Sequence, residues 1–437
     1  PQLYLSSFIK LDASKSEKIK KHVQSVIDRY NQYQTSSGGF AYWTGGTVPS
    51  PWGSCYGAHF LTEAKKLGYT VPSVLYDSLL DWIETSAVEW TDDSYEDSEE
   101  VQAYKLFVLA IAGRANIGSM NRLEEKKSRL SQSAKLLLAA AYASSGREKV
   151  ARELLSSFTP TSVFFRLTGG SFSSSIREQA LYLFTCRLCD KENEADKTAK
   201  ALAETLSSDK WLSTQETAWS LLSLLPYYKD NEKSKKIDYV VESAGKERQG
   251  TLDTLSKIEE LSPSNQRAQT VRISNKSSAS LYGLLTSSGM SVPGTEVSRN
   301  DGLEVHVKYK DSKGNTINPS SLKKGDSFVV DVSVENTFGK KIENIALTLP
   351  FATCWEFNND RIADTSQSYS SSYSYQDIRD EAIYTYFDLA ASDTLHLSFP
   401  MTVAYSGSYY IPAVHAEAMY DNSYGSIVPG IHIEKKQ

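Results

Sequence analysis

The stretch QAYKLFVLAIAG, residues Gln102–Gly113, decides the fold of the first half of the chain, and its only charged residue is Lys105. Its apolar residues recur at helical spacing, and glycine is the residue that commonly ends a helix. A helix that is apolar on nearly every side is buried on nearly every side. A second stretch of this kind, SAKLLLAAAYASSG at Ser133–Gly146, also ends at glycine. Both stretches therefore predict helices inside a core.

Related apolar stretches occur five times in the first half of the chain, each starting near a small residue. Their anchors lie 45, 31, 46 and 38 residues apart, a mean of 40, which accommodates two helices and two turns. More polar helical stretches lie between them. The alternation predicts a ring of helical hairpins, an α/α toroid over residues 1–235, with the apolar helices inside. The anchors are Ala58, Ala103, Ala134, Ala180 and Ala218, and the polar stretches are residues 17–30, 74–84, 148–158 and 192–206.

The pattern changes in the second half, where apolar and polar residues alternate. Runs such as LEVHVKYK, SFVVDVSVEN and AIYTYFDL, separated by polar turns, are typical of β-strands. About seven such runs predict an antiparallel, immunoglobulin-like β-sandwich over residues 301–437. Residues 236–300 are charged and Ser-rich, and we expect them to form a connector with a few strands, including Ala268–Ser274 and Ser280–Thr286. The fold class is therefore multidomain, with α and β parts.

Composition excludes several classes of protein. The 437 residues carry a net charge of −6, which argues against a nucleic-acid binder. The longest apolar runs, Leu106–Ala112 and Leu136–Ala143, are too short to span a bilayer. Four cysteines do not make a disulfide scaffold. Residues 1–10 lack the pattern of a signal peptide, so the localisation cannot be read from this end.

Two clusters of potentially reactive residues have structural interpretations as well as functional ones. The acidic residues between Asp92 and Glu100 could form a glycosidase carboxylate pair or a Mg²⁺-diphosphate site. We favour a solvated loop in which Asp97 caps a helix and Glu99 and Glu100 lie at its positive end. Cys186 and Cys189 form a Cys-x-x-Cys within a helical stretch, where we expect both to be apolar core residues rather than a zinc or redox site.

Two further features have less settled interpretations. His59 follows Cys55 by one helical turn, so that a Cys–His nucleophile pair is conceivable, but no acid is evident to orient it. The Gly/Pro-rich turn Gly38–Trp52 carries Tyr42, Trp43 and Trp52. Loop aromatics of this kind either form a binding platform or seal, or fold into the mouth of the ring. Both alternatives stay open for this turn.

Several motifs follow one another over nearly the whole chain: SGGFAYW and PWGSCYGAHFLTEAKKLGY, then WLSTQETAWSLL, and finally KKGDSFVVDVSVEN, ENIALTLP and YSGSYYIPAVHAEAMYDNSYGSIVPG. Together, and in this order, they resemble bacterial α2-macroglobulins. The first half resembles the thioester domain of that family, and the second half resembles its C-terminal macroglobulin domain. The resemblance implies a toroid, part of a CUB-like β module as the connector, and a β-sandwich.

The resemblance implies a function as a broad-spectrum protease trap, not as an enzyme. In that family an internal thioester, formed within a Cys-x-Glu-Gln motif, reacts with the attacking protease. No cysteine of this chain is followed three residues later by glutamine, so we expect the chain to start just downstream of the thioester. It holds no catalytic residue, metal ligand or cofactor site on this reading. Candidates for shielding the thioester from water are Tyr42, Trp43, Trp52, Met419 and Tyr420.

The same resemblance implies target proteases as partners, a monomer, and a place in the periplasm or cell envelope, with any lipid anchor upstream. Two other functions are weighed against it. A carbohydrate-active toroid enzyme with an accessory sandwich would need two carboxylates facing one cavity, and Glu63 and Glu216 are the only acids clearly on inner helices. An envelope scaffold or adhesion module would be a family member that has lost its thioester.

Overall fold

The computed structural model describes residues 2–8, 11–91, 98–158, 165–167, 169–208, 210–231, 236–253, 256–261, 269–278, 281, 283–287, 289, 292–358 and 373–433. The chain forms two compact units, residues 1–285 and residues 286–437. The division into three segments, with boundaries after residues 235 and 300, remains a prediction.

Eleven α-helices precede the first strand in the described part of unit one. A short 3₁₀ turn, Gln2–Tyr4, leads into the first of them. The helices are α1 (Leu5–Phe8), α2 (Ala13–Arg29), α3 (Pro51–Lys66), α4 (Ser73–Glu89), α5 (Glu99–Ile111), α6 (Ile117–Glu124), α7 (Gln132–Ser144), α8 (Glu148–Ser156), α9 (Ser175–Leu188), α10 (Glu192–Leu206) and α11 (Thr214–Asn231).

The helices form the predicted α/α toroid. The inner helices α3, α5, α7, α9 and α11 pack on one another in chain order, and they contain all five alanine anchors. Four of those alanines are fully buried, and Ala218 is half-buried. The five even-numbered helices α2 to α10 alternate with them as the outer layer. Burial separates the two layers: every residue of α5 from Val101 to Ala110 is buried, whereas α2 buries only Val23 and Ile27.

Local sequence explains where the inner helices begin and end. The Ser50 hydroxyl accepts a hydrogen bond from the Gly53 N–H, and Pro51 occupies the first helical position, so α3 begins there. Gly113 has φ = 78°, a left-handed conformation that ends α5 as predicted. The cap of α5 is Ser98, however, while Asp97 lies outside the described residues. Helix α6 was not predicted, because its eight residues are too few and too polar to show the apolar repeat of a helix.

A small antiparallel sheet ends unit one. Its strands are β1 (Ile237–Ser243), β2 (Lys246–Leu252) and β3 (Val271–Asn275), in the order β2-β1-β3. Strand β3 agrees with the expectation for residues 268–274. The expected strand at residues 280–286 is wrong for the residues that are described, which are irregular. Several large apolar side chains are exposed in this region, including Ile258, Ile273 and Leu284.

Unit two contains the predicted antiparallel strands. The runs LEVHVKYK, SFVVDVSVEN and AIYTYFDL form β5, β6 and β10 with the bounds that the alternation predicts. The strands are β4 (Arg299–Asp301), β5 (Leu303–Lys310), β6 (Ser327–Asn336), β7 (Ile342–Pro350), β8 (Trp355–Phe357), β9 (Tyr375–Ile378), β10 (Ala382–Leu389), β11 (Thr394–Val403), β12 (Tyr409–Ile411), β13 (Val414–Ala418), β14 (Gly425–Val428) and β15 (Ile431–Ile433).

These strands form two main sheets around one apolar core. One sheet has the order β4-β14-β13-β7-β10-β9 and the other the order β5-β6-β11-β8, while β12 pairs with β15. Inward residues of both sheets share the core, for example Val332 of β6 and Leu347 of β7. The chain passes from one sheet to the other at Gly302, whose φ is 68°. A side chain there would clash with the ring of Tyr424, so that only glycine suits this crossing.

Hydrogen bonds to Glu296 hold the segment that leads into the sandwich against it. The carboxylate of Glu296 accepts hydrogen bonds from the Gly294 N–H at 3.0 Å, from the Gly430 N–H at 3.4 Å and from the Tyr410 hydroxyl. These donors, led by Tyr410, lower the pKa of Glu296 to about 2. The turn is thus held on the ribbon that β12 and β15 form.

Candidate functional site

An aromatic cluster closes the ring of unit one at its centre. Trp219 of α11 is 2% exposed, and its ring lies 5.2 Å from that of His59 on α3. The same indole lies 6.2 Å from Tyr104 and 6.3 Å from Phe107, both on α5. The last inner helix therefore contacts the first two directly. Aromatic side chains of α3, α5 and α11 thus pack together on the inside of the ring.

His59 is a neutral member of this cluster and not part of a nucleophile pair. Its Nδ1 lies 3.1 Å from the Tyr104 hydroxyl, and burial lowers its pKa to about 4. Cys55, one turn earlier, is also fully buried. A thiol needs an exposed, electropositive setting to become a nucleophile. The pair is therefore a part of the core.

We expect His59 to make the toroid acid-sensitive. Its pKa is about 4 in the folded state and about 6.5 in the unfolded state. The unfolded state therefore takes up a proton first, and stability is lost as the pH falls from about 6.5 to about 4, by up to about 3 kcal/mol. Urea unfolding followed by helical circular dichroism at pH 7 and pH 4.5 measures this loss.

The H59F variant should lose that pH-dependent part of the free energy of unfolding. The matched control is H22Q, because His22 is exposed on outer helix α2. H22Q should keep the wild-type pH dependence. An unchanged pH dependence in H59F would assign the acid sensitivity to other groups.

A cleft lies beside this cluster, between α3 and α11. Tyr56, His59 and Glu63 line it from α3, Trp219 lines it from α11, and Leu3 and Tyr4 line it from the N-terminal segment. The Tyr4 hydroxyl donates a hydrogen bond to Glu63. Burial opposes ionisation of Glu63, but nearby His59, Lys66 and the Tyr4 hydroxyl hold its pKa below the usual value. The N-terminal segment is thus anchored to α3 at this cleft.

Buried ion pairs lie at the N-terminal ends of the inner helices. Arg166 donates to both carboxylate oxygens of Glu216, from Nε at 3.1 and 3.2 Å and from Nη2 at 2.9 Å. The side chains are 5% and 0% exposed. Arg177, which is 1% exposed, donates to Glu100 at 3.3 Å and to the Ser171 carbonyl at 2.9 Å. These groups hold the loop before α9 against the ring.

The carboxylates do not form a glycosidase pair. Glu216 is occupied by Arg166, and Glu63, near the other end of its helix, is occupied by Tyr4 and Lys66. The expectation that these two were the only acids on inner helices is wrong, because Glu178 lies on α9 and is 5% exposed. Glu178 accepts a hydrogen bond from the Ser133 hydroxyl at 2.8 Å, and burial raises its pKa. It was missed because it precedes the apolar run, starting at Ala180, from which this helix was predicted.

The acidic run and the Cys-x-x-Cys pair have structural roles in the part of the chain that the structure describes. Residues 92–97 of the acidic run lie outside the described residues, while Glu99 and Glu100 occupy the first turn of α5 as expected. Cys186 and Cys189 are buried free thiols, which confirms them as core residues. Burial raises the pKa of Cys186 to about 12. No group of three metal-ligating side chains occurs in the described part of the chain, nor is any described helix long and apolar enough to cross a membrane.

The five shielding candidates lie in different settings. Tyr42 and Trp43 are 56% and 75% exposed, and their rings meet edge to face at 5.1 Å. Trp52 lies in the first turn of α3 rather than in the loop, half-buried, with its ring stacked on Tyr56 at 5.0 Å. In unit two, Met419 and Tyr420 follow β13 and are 40% and 59% exposed.

The loop that carries Tyr42 and Trp43 is braced by its backbone. The Ala41 N–H donates to the Tyr33 carbonyl at 2.8 Å, and the Ser50 N–H donates to the Phe40 carbonyl at 2.7 Å. No Asp, Glu, Lys or Arg occurs between residues 30 and 63. The exposed aromatic pair is therefore presented on a firm, uncharged surface, which is a feature of interaction sites.

Residues 302–422 match the bacterial α2-macroglobulin MG10 domain. A Yersinia pestis α2-macroglobulin homologue is 20% identical, over 98% of this chain and 23% of its own length. Nearly the whole chain is thus similar to bacterial α2-macroglobulins. It spans about a quarter of the length of the curated relatives it matches.

The fold agrees with solved members of the α2-macroglobulin family. The native Escherichia coli α2-macroglobulin fragment, from domain MG7 to the C-terminus, superposes on the whole chain with a TM-score of 0.61 and 19% identity, covering 72% of that fragment. Salmonella α2-macroglobulin reacted with methylamine gives 0.62 and 18%, over the whole of this chain and 29% of that one. At these identities the likeness establishes the fold, a helical toroid followed by antiparallel β-sheets.

Proposed function

We propose that this chain is the C-terminal part of a bacterial α2-macroglobulin that traps proteases covalently, and that it supports and shields a thioester upstream of Pro1. The observation that carries this proposal is the match of nearly the whole chain to proteins named α2-macroglobulin. The chain would then be part of an endopeptidase inhibitor and not an enzyme. The occupied carboxylates of the toroid also favour this function over a carbohydrate-active enzyme.

Partners and location follow from the same proposal. The partners are target proteases, met by a monomeric protein in the periplasm or cell envelope. Neither a cofactor nor a nucleic acid is involved. An anchor to the membrane, where there is one, belongs to the part of the protein that precedes this chain.

The test uses the full-length protein that contains this chain, treated with methylamine. The amine nitrogen attacks the thioester carbonyl carbon, the carbon–sulfur bond breaks, and the sulfur leaves as a thiolate. We expect the intact mass to rise by one methylamine and one new thiol to appear under denaturing conditions. The four buried cysteines of this chain contribute equally before and after treatment. No change in mass or thiols would favour the envelope scaffold, and sugar release from polysaccharides would favour the carbohydrate-active enzyme.

We propose that the exposed apolar pairs of the two units cover the thioester against water in the full-length protein. A thioester persists only where water is excluded. Replacing Trp43 or Tyr420 by alanine should therefore speed spontaneous thiol release, by about tenfold for Trp43, which is the larger and more exposed side chain. The timed appearance of free thiol at neutral pH measures this.

The control for the shielding variants is V74A, since Val74 is 79% exposed on outer helix α4. Its thioester should last as long as that of the wild type. Equal lifetimes in the W43A, Y420A and wild-type proteins would contradict the shielding roles while leaving the thioester itself in place.

A further inference from the structure

A stretch without charged residues follows the small sheet of unit one in the chain. No Asp, Glu, Lys or Arg occurs between Lys276 and Glu296, and the stretch is rich in Ser and Gly. A serine protease selects the residue before the bond that it cuts through its S1 pocket, which is acidic in trypsin and small in elastase. A protease that cuts within this stretch must therefore have an uncharged S1 pocket.

Residues 283–287 of this stretch are open to solvent. All five are exposed, and they belong to neither a helix nor a strand. Leu284 is 71% exposed and Leu285 is 63% exposed. Within the described part of the chain, none of the five takes part in a hydrogen bond. Two large apolar side chains are therefore presented to solvent on a backbone that the described residues do not hold.

A protease needs this combination of an exposed side chain and a backbone that can extend. It binds its substrate as an extended strand through backbone hydrogen bonds, and the side chain before the scissile bond enters the S1 pocket. Residues 283–287 supply both sides of the Leu285–Thr286 bond. The chain passes from unit one to unit two at this bond. A cut there leaves each hydrophobic core on its own fragment.

Val297 is more exposed than either leucine, but its backbone is anchored. The side chain is 82% exposed, and it directly follows Glu296. The Glu296 carboxylate accepts hydrogen bonds from the Gly294 N–H at 3.0 Å and from the Tyr410 hydroxyl. This segment must give up those hydrogen bonds before it can enter a protease groove. Local opening of this kind costs free energy and so lowers the rate of cleavage.

Ile258 is a second exposed apolar residue whose neighbours are held. It is 73% exposed and lies between Lys257 and Glu259, whose side chains form an ion pair at 3.0 Å. Glu259 also accepts a hydrogen bond from the Tyr239 hydroxyl at 2.7 Å. Exposure alone therefore does not single out the two leucines, whereas exposure on an unanchored backbone does.

We propose that the Leu285–Thr286 peptide bond is a proteolytic processing site for a serine protease with a small apolar S1 pocket. The serine oxygen attacks the Leu285 carbonyl carbon, the C–N bond breaks, and Thr286 leaves as an amine with the proton taken from the serine. Water then hydrolyses the acyl-enzyme and leaves Leu285 with a carboxylate. The cut separates the toroid from the sandwich along the chain. It needs no thioester, so that it goes beyond the proposed function and does not depend on it.

The test treats the full-length protein with a trace of elastase, whose small S1 pocket does not suit the ring of a tyrosine. The new N-termini are identified by mass spectrometry over time. Within this chain, we expect the earliest of them to be Thr286. The L284D/L285D variant should slow this cut at least about tenfold, because a charged side chain does not enter an apolar pocket. I258D is the matched control and should leave the rate unchanged.

A third variant tests whether anchoring protects the more exposed valine. E296A removes the acceptor for the Gly294 N–H and the Tyr410 hydroxyl. Elastase should then also cut after Val297, whereas the wild type should not be cut there. Cleavage of the wild type after Val297 as fast as after Leu285 would overturn the role of anchoring.

The outcomes also separate this site from the protease trap. If Thr286 is not the earliest new N-terminus in this chain, or if L284D/L285D is cut there as fast as the wild type, the processing site is overturned. The urea midpoint of L284D/L285D should equal that of the wild type, because both side chains are exposed. Thiol release by methylamine is measured separately, so that failure of the trap leaves the cut in place and failure of the cut leaves the trap in place.

Discussion

Replacing Trp219 by alanine should destabilise the toroid by about 3–5 kcal/mol, the usual cost of removing a large aromatic side chain from a core. The indole is 2% exposed and contacts His59, Tyr104 and Phe107, and the Arg177 guanidinium lies 5.4 Å from its ring. The loss should exceed that of an ordinary core substitution, because this side chain joins the last inner helix to the first two. Urea unfolding followed by helical circular dichroism measures it.

The sequence offers a matched tryptophan as the control. W43A removes the same side chain from a position that is 75% exposed and should change the free energy of unfolding by less than about 0.5 kcal/mol. W219F, which keeps a ring, should fall between the two. A loss below about 1 kcal/mol in W219A would contradict closure of the ring through this residue.

The second large effect is expected at the buried pair of Arg166 and Glu216. E216Q leaves the Arg166 guanidinium buried without its counter-charge, and breaking such a pair costs about 3–5 kcal/mol. Glu216 also accepts a hydrogen bond from the Ser213 N–H at 2.8 Å, so that the start of α11 should loosen as well. Urea unfolding gives the total loss, and hydrogen exchange of the amides near Ser213 locates it.

A double-mutant cycle separates the pair from its surroundings. The variant R166L/E216L removes both charges. It should be more stable than R166L or E216L alone, because no unpaired charge is left buried. The exposed pair of Glu148 and Arg152 is the control, and E148Q should cost less than about 0.5 kcal/mol. Additive losses in the cycle would show that the two charges do not depend on each other.

The general form of both units could be predicted because burial leaves a strong periodic signal. Inner helices such as α5 are apolar all round, and strands such as β6 alternate without interruption. Elements without that signal were missed. Strands β4, β8 and β15 have three residues each, which is too few to show a period. They are defined by their neighbours in the sheet rather than by their own residues.

The candidate site was only partly predictable, for a related reason. Tyr42 and Trp43 could be singled out because aromatic residues in a Gly/Pro-rich turn are conspicuous in the sequence. Phe172 could not, since a phenylalanine among serines gives no indication of a left-handed backbone or of contact with Trp52. Arg166 and Glu216 are 50 residues apart, and nothing in either stretch shows that they meet. Long-range pairing of this kind becomes visible only in the folded chain.

Closure of the ring through Trp219 has a consequence for how the chain folds during synthesis. His59 and Trp219 are 160 positions apart in the sequence, so that the first helical hairpins leave the ribosome long before their final neighbour exists. Local hairpins form early, but a contact between such distant residues must first bring the ends of a long loop together. Until α11 arrives, the aromatic face of α3 stays open to solvent and to other chains. The growing polypeptide is therefore most vulnerable to aggregation, and most in need of a chaperone, just before its last inner helix is complete.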